Sequence, residues 1–139
     1  MPQLNRLKRP PFDSWPLQVE LLFPHGLFGF EAYTHYKLTG HAKEAPFLKL
    51  ESLENPCLSF YVIDPFPHCP SYEPTLTRVD LKDVGVMHEA NLIVLTIVDT
   101  NRKCPTLNLG APLLIHLSKK LGKQLLTHHN AEYPLEDSN

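Results

Sequence analysis

At 139 residues, with 42% hydrophobic and 20% charged residues, the chain has the size and makeup of one globular domain, which excludes two separate cores and a disordered body. A formal net charge of −2 supplies no basic stripe for a phosphate backbone, so direct nucleic-acid binding is not expected, and a mildly acidic protein suits a basic protein partner better. The 14 prolines, about twice the ordinary share, argue against long helices and for short strands joined by fixed turns.

Cys57, Cys69 and Cys104 are an odd number in no C-x-x-C spacing, which reads as reduced thiols in a cytoplasmic protein. Arg6, Lys8 and Arg9 lead into Pro10 and Pro11 instead of an apolar run, so no signal peptide is read. No apolar segment reaches the ~18 residues of a membrane span. A soluble cytoplasmic protein, with no membrane contact, is the expectation.

Residues 1–16, with Pro2, Pro10, Pro11 and Pro16, read as an extended and partly disordered lead. A single domain is expected over 17–135, with a flexible tail at 136–139. Within it, apolar runs alternate with turn residues. The candidate strands are Leu17 to Phe23, Tyr33 to Leu38, Phe47 to Leu53, Leu58 to Ile63, Leu92 to Val98, Leu113 to Leu117 and Gln124 to His128. The turns between them fall at His25-Gly26, Gly29, Gly40, Asn55-Pro56, Asp64-Pro65 and Gly122. This pattern predicts an all-β fold, a small antiparallel barrel or sandwich with short helical turns. Leu92 to Val98 is apolar on both faces, as a strand covered on each side would be, whereas Lys49 and Glu51 alternate with Leu48 and Leu50 and predict a wet face. Arg78 to Val86 satisfies neither period and stays open between a helical turn and a strand. Pro46 and Pro112 fit strand starts, where a missing N–H does no harm.

Chemistry finds little purchase in this sequence. Eight histidines include His128-His129, and His68 adjoins Cys69, yet neither H-E-x-x-H nor a C-x-x-C pair occurs, and neighbours on a strand point to opposite faces. No metal or other cofactor is expected. There is no G-x-S-x-G, and Cys57 and Cys104, beside apolar strands, read as buried inert thiols. Gly26 to Gly29 lacks the spacing of a phosphate loop and reads as a hairpin turn. The scattered carboxylates Glu51, Glu54, Asp64, Glu73 and Asp80 have no spacing that enforces a catalytic pair. Binding is the expected activity, and the alternative from another class is a small barrel enzyme or ligand binder with a His- and Tyr-lined mouth.

The run Phe23-Pro24-His25-Gly26-Leu27-Phe28-Gly29-Phe30-Glu31 resembles the FliW family, whose N-terminal signature is F-x-x-G-[LI]-x-G-F-E just after the first strand. Further blocks follow in family order. They are Phe47-Leu48-x-Leu50-x-Ser52, then Pro56-x-x-x-Phe60-x-Val62-x-Asp64-Pro65 leading to Tyr72, then Thr106-x-Asn108-Leu109-x-Ala111-Pro112-Leu113-Leu114-Ile115 with Gly122-x-Gln124 and Tyr133. The resemblance covers about residues 17–135. His116 stands where many members carry Asn, and Phe28 replaces a common Pro. In physical terms Gly26 and Gly29 permit a tight reversal, at least one with positive φ, that tucks Phe28 or Phe30 into the core.

The resemblance implies a flagellar assembly factor without enzymatic activity, a monomer when free. Such proteins bind flagellin or a related secretion substrate, and when released bind CsrA, a translational regulator, relieving its repression. The expected contact residues are Glu51, Glu54, Tyr72 and Glu73, as one exposed acidic and aromatic patch, with Asn108 to Pro112 or a sheet edge as the other candidate interface.

Overall fold

A computed structural model describes residues 15–16, 18–87, 91–101, 103–127 and 133–134. Period-two alternation builds the first part of the chain into a meander of strands β1 (Gln18–Leu22), β2 (His35–Gly40), β3 (Leu48–Ser52) and β4 (Ser59–Ile63). Leu48 and Leu50 of β3 are buried while Lys49 and Glu51 between them face outward, as expected from their alternation. Register follows from the same residues, with Leu38 opposite Leu50 and Leu50 opposite Phe60.

The second part supplies β5 (Leu92–Asp99), β6 (Thr106–Leu107), β7 (Leu113–His116), β8 (Leu121–Gln124) and β9 (Tyr133–Pro134). Pairing of β4 with β5 closes the order β4-β3-β2-β1-β8-β7-β5 into a seven-stranded barrel, and β6 and β9 extend the sheet beyond β5. The barrel ladders are antiparallel except for β1 with β8, which run parallel and meet at Leu22 and Leu121.

Two packed layers share the long strand β5. Ile93 and Leu95 point into the lumen with Leu21, Phe23, Leu27, Tyr36, Leu50 and Ile115, so the barrel is filled by its own side chains. Leu92, Val94 and Val98 point outward beneath the β4–β5 connection, where they pack with Ile63, Tyr72, Leu76 and Val84. The two-faced apolar run is thus a strand covered on both sides. The covering connection contains a short α-helix, α1 (Arg78–Asp83). A capping box starts it, the Thr77 hydroxyl accepting from the Asp80 N–H at 3.0 Å and the Asp80 carboxylate accepting from the Thr77 N–H at 3.1 Å. Gly85, at φ 78°, stops it. Within the segment Arg78 to Val86, Arg78–Asp83 is therefore helical.

Several expectations need correction. The last barrel strand is Leu121–Gln124 and not Gln124 to His128, because the ladder to β7 pairs Gly122 with Ile115 and Gln124 with Leu113. His128 lies outside the described residues. Gly122 accordingly sits inside a strand, where a Cβ would stand 2.5 Å from the buried Phe23 ring; close packing, not a turn, uses this glycine. Leu27, and neither Phe28 nor Phe30, enters the core. Cys57 and Cys104 are exposed, because they fall in the connections flanking β4 and β6 and not on an inward face. The expected lead and tail, 1–16 and 136–139, lie outside the described residues except for Trp15, which packs on the lumen cluster, and Pro16.

Candidate protein-binding surface

One barrel end is closed by the loop between β1 and β2, and glycine makes its shape possible. Gly26, at φ 67°, donates to the Phe23 carbonyl at 2.8 Å, and Gly29, at φ 87°, donates to the Glu31 carboxylate at 2.9 Å. Between them Leu27 bridges Phe30 and seats its side chain in the lumen as a plug, 1% exposed. The loop is then tied to the opposite strands. The Phe28 N–H donates to the Gln124 side-chain oxygen at 2.7 Å, Gln124 donates to the Ala111 carbonyl at 3.1 Å, and the Thr127 N–H donates to the Gly110 carbonyl at 2.8 Å.

Those bonds join the signature loop, the 108–112 segment and the end of β8 into one rim. With its backbone held from below, the rim carries Phe28, Phe30 and Leu126, respectively 51%, 39% and 82% exposed. Phe30 leans edge-on against Phe60 at 5.5 Å between ring centroids. Large apolar side chains on a fixed backbone are the raw material of a protein contact, since little ordering entropy remains to be lost on binding.

The barrel wall formed by β1 to β4 is the second exposed surface. Its register aligns Glu20, Lys37, Glu51 and Ser59 in one outward row, and Gln18, Thr39, Lys49 and Tyr61 in the next. Lys49 and Glu51 stand 3.9 Å apart, a solvated pair worth little to stability. At the head of this wall Glu54 accepts from the backbone N–H groups of Thr34 at 2.7 Å and His35 at 3.0 Å. The His35 and Thr34 amides hold its carboxyl below the usual range.

The expected contact residues separate on these surfaces. Glu51 and Glu54 lie on the wall, and Glu54 has a structural task in anchoring the start of β2. Tyr72 is not exposed: it is buried in the outer core against Phe66, and its hydroxyl donates to the Leu109 carbonyl at 2.6 Å. Burial pushes its phenol well above the ordinary value. Its place beneath the β4–β5 connection explains the difference, because a Pro-rich stretch that reads as a surface loop in fact packs Tyr72 inward over β5 and the 107–109 stretch. Glu73 beside it is exposed. Asn108 is half-buried, donates its N–H to the Ile97 carbonyl at 3.0 Å, and leads directly into the rim. Exposed Phe28, Phe30, Tyr61 and Leu126 escaped the sequence reading, since an aromatic or leucine near a strand defaults to core.

The remaining polar constellation is structural. Lys123 on β8 holds both Asp80, at 2.8 Å, and Asp83, at 2.7 Å, and so fastens α1 to the barrel. Burial favours neutral Asp80, but its bonds to Lys123 and Thr77 outweigh this and keep the carboxyl low; burial likewise disfavours the Lys123 ammonium, which its two carboxylate partners nevertheless raise. His116, buried on β7, bonds the Val84 carbonyl through Nδ1 at 2.8 Å and clamps the helix end to the same sheet. Among the described residues no three His, Cys, Asp or Glu side chains gather as a metal site would need. Among the described residues no helix is long and apolar enough to cross a membrane.

Comparison with known proteins places this geometry. The family described as FliW protein matches residues 14–138. The chain is 35% identical over 128 residues to the flagellar assembly factor FliW of Alkaliphilus metalliredigens, covering 86% of this chain and 79% of that one. It is 36% identical over 112 residues to the protein of the same name from Geobacillus thermodenitrificans, covering 78% and 76%. A solved structure described as a crystal structure of the flagellar assembly factor FliW superposes with a TM-score of 0.73 at 28% identity, over 84% of this chain and 83% of that chain. The signature loop, the three blocks that follow it in order and the barrel they build agree with these matches: the chain belongs to the FliW family.

Proposed function

We propose that the chain is a cytoplasmic, non-enzymatic regulator of flagellar assembly that acts by holding proteins. In this reading it binds flagellin or a related secretion substrate, and when released binds a CsrA-type translational regulator and relieves its repression, so that the two partners compete for one monomer. The family match over residues 14–138 carries the reading, with relatives named as flagellar assembly factors. Two features of the molecule support it. A rim with Phe28, Phe30 and Leu126 exposed, beside Asn108, suits an apolar helix face of a secretion substrate, while Glu51 on the wall, exposed Glu54 and Glu73 suit a basic RNA-binding partner. A lumen filled by Leu21, Phe23, Leu27 and Tyr36 leaves the barrel interior to side chains, which weighs against a ligand site in its mouth.

Calorimetric titration of the purified chain with flagellin and with CsrA, each alone and then with the other present, tests the switch. Saturation with one partner is expected to lower the apparent affinity for the other by at least about tenfold. Independent binding of both, or no binding of either up to on the order of 100 μM, would refute it. The surfaces separate by mutation. Phe28→Ala with Leu126→Ala is expected to weaken flagellin binding, and Glu51→Lys with Glu73→Lys to weaken CsrA binding with a changed salt dependence; Glu54 is left intact because it anchors β2.

A further inference from the structure

The β1–β8 seam is the least closed of the barrel; the β4–β5 seam, also partial, still pairs Val62 with Ile97 and Ile63 with Thr96. Strand β1 pairs with β2 from Gln18 to Leu22, yet meets β8 only where Leu22 faces Leu121. The Phe23 N–H points at Thr34 of the β2 side, and the Leu22 N–H donates to the Lys120 carbonyl at 2.9 Å on the other. Backbone groups alternate along a strand, so the N–H and C=O of Gln18 and Glu20 share the direction of Leu22 and face outward along this seam. Among the described residues no strand pairs with them. An open cleft of about 590 Å³ runs there, lined by Pro16, Val19, Leu53 and Leu117 as apolar surface and by Lys37 and Lys120 as cations, with Glu20 on its edge.

A second observation marks the same place. Lys120, whose carbonyl ends the β1–β8 contact, is the one described residue other than glycine with positive φ, 57°. Non-glycine residues held in that region cluster where a ligand or a partner is received, because the surrounding structure must hold the strain.

We propose that this seam is a strand-addition site: an extended segment of a partner protein, carrying apolar side chains alternating with acidic ones, pairs with the Gln18–Glu20 edge in the gap below β8. The edge supplies alternating donors and acceptors, Val19 and Leu117 supply apolar contact, and Lys37 and Lys120 select for carboxylates. Neither lysine has an ion-pair partner among the described residues. Charge argues against the chain's own lead as occupant, since residues 1–14 bring Arg6, Lys8 and Arg9 against those lysines, and Pro2, Pro10 and Pro11 lack the N–H a ladder needs. The inference does not rest on flagellin or CsrA being the partner.

The probe is a blocked octapeptide of alternating valine and aspartate or threonine, titrated into the full chain while backbone amide signals are followed by nuclear magnetic resonance. The signals of Gln18, Glu20 and Leu117 are expected to shift, with the Glu20 amide gaining protection from exchange. Replacing the aspartates of the peptide by lysine should weaken binding at least about tenfold. Glu20→Pro removes the outward donor but keeps the β2 ladder, because the Glu20 N–H does not face β2, and should weaken binding about fivefold or more. Glu20→Gln, which keeps that donor, should not weaken it. Equal binding of the lysine peptide, equal loss in both Glu20 variants, or shifts confined to the Phe28 rim would each overturn the proposal, as would edge-to-edge dimerisation of the chain at the concentrations used.

Discussion

Replacing Gly26 and Gly29 separately by Ala separates two reasons for which a loop keeps glycine. Both have positive φ, 67° and 87°, so each substitution carries a backbone strain of about 1–2 kcal/mol. Only at Gly26 does space matter as well. A Cβ there would stand 2.6 Å from the Glu31 Cα and 2.8 Å from its carbonyl oxygen, backbone atoms that cannot rotate aside, whereas a Cβ at Gly29 meets nothing within 4 Å. Overpacking of this kind adds about 1–3 kcal/mol, since relief requires opening the loop that seats Leu27 in the lumen. Gly29→Ala is therefore expected to cost about 1–2 kcal/mol, and Gly26→Ala about 2–5 kcal/mol. Urea unfolding followed by tyrosine and tryptophan fluorescence measures both, provided the slope with denaturant stays constant. Equal costs at the two positions would refute the steric half of the argument, and no cost at Gly29 the conformational half.

Two tyrosines should respond in opposite directions to loss of the hydroxyl. Tyr72→Phe removes the shorter of the two hydrogen bonds to the Leu109 carbonyl, which keeps the Thr127 hydroxyl at 3.1 Å, and should cost about 0.5–1.5 kcal/mol by the same assay, whereas the Tyr36 hydroxyl is buried with no partner among the described residues, so Tyr36→Phe should be neutral or stabilising. The raised Tyr72 phenol also sets an alkaline limit: its contribution is complete below the ordinary tyrosine value near 10 and falls as pH rises above it, so the Tyr72→Phe chain should lose less stability between about pH 10 and 12 than the parent. Lys123→Met should destabilise by about 1–2 kcal/mol at neutral pH, because the Asp80 and Asp83 side chains, 16% and 28% exposed, lose their shared cation. Asp80 is lowered and Lys123 raised in the fold, so the pair stabilises between their ordinary values; the deficit of the variant should shrink in melting curves as pH falls below about 4 or rises above about 10, and a pH-independent deficit would exclude the ion pair as its cause. Cys57 and Cys104, exposed, should react with a thiol reagent in the native state faster than half-buried Cys69, as mass spectrometry of the labelled peptides would show.

Local pattern carried much of the architecture. Leu48 and Leu50 against Lys49 and Glu51 announce a half-buried strand, and Leu92 to Val98 announces one covered on both faces, because side-chain direction in a strand has period two whatever lies around it. Glycine with positive φ at positions 26 and 29 was likewise legible, as turn chemistry is local. What covers β5 was not. That the 64–86 connection folds over it, buries Tyr72 and places Glu73 outside depends on contacts such as Tyr72 with Leu109, 37 residues apart. The same holds for β8, where Gly122 reads as a turn and becomes strand only because β7 supplies its ladder and Phe23 takes the space of its missing side chain. The short β6 and β9 have too few residues to show a period and exist as partners of each other and of β5. The candidate surfaces divide in the same way. Charges of Glu51 and Glu54 are read from the chain, but that Phe28 and Leu126 are both left exposed on the rim tied together through Gln124, and that the Gln18–Glu20 edge lies open, follows from barrel closure, in which strands distant in sequence fix which side chains and backbone groups are left to face solvent.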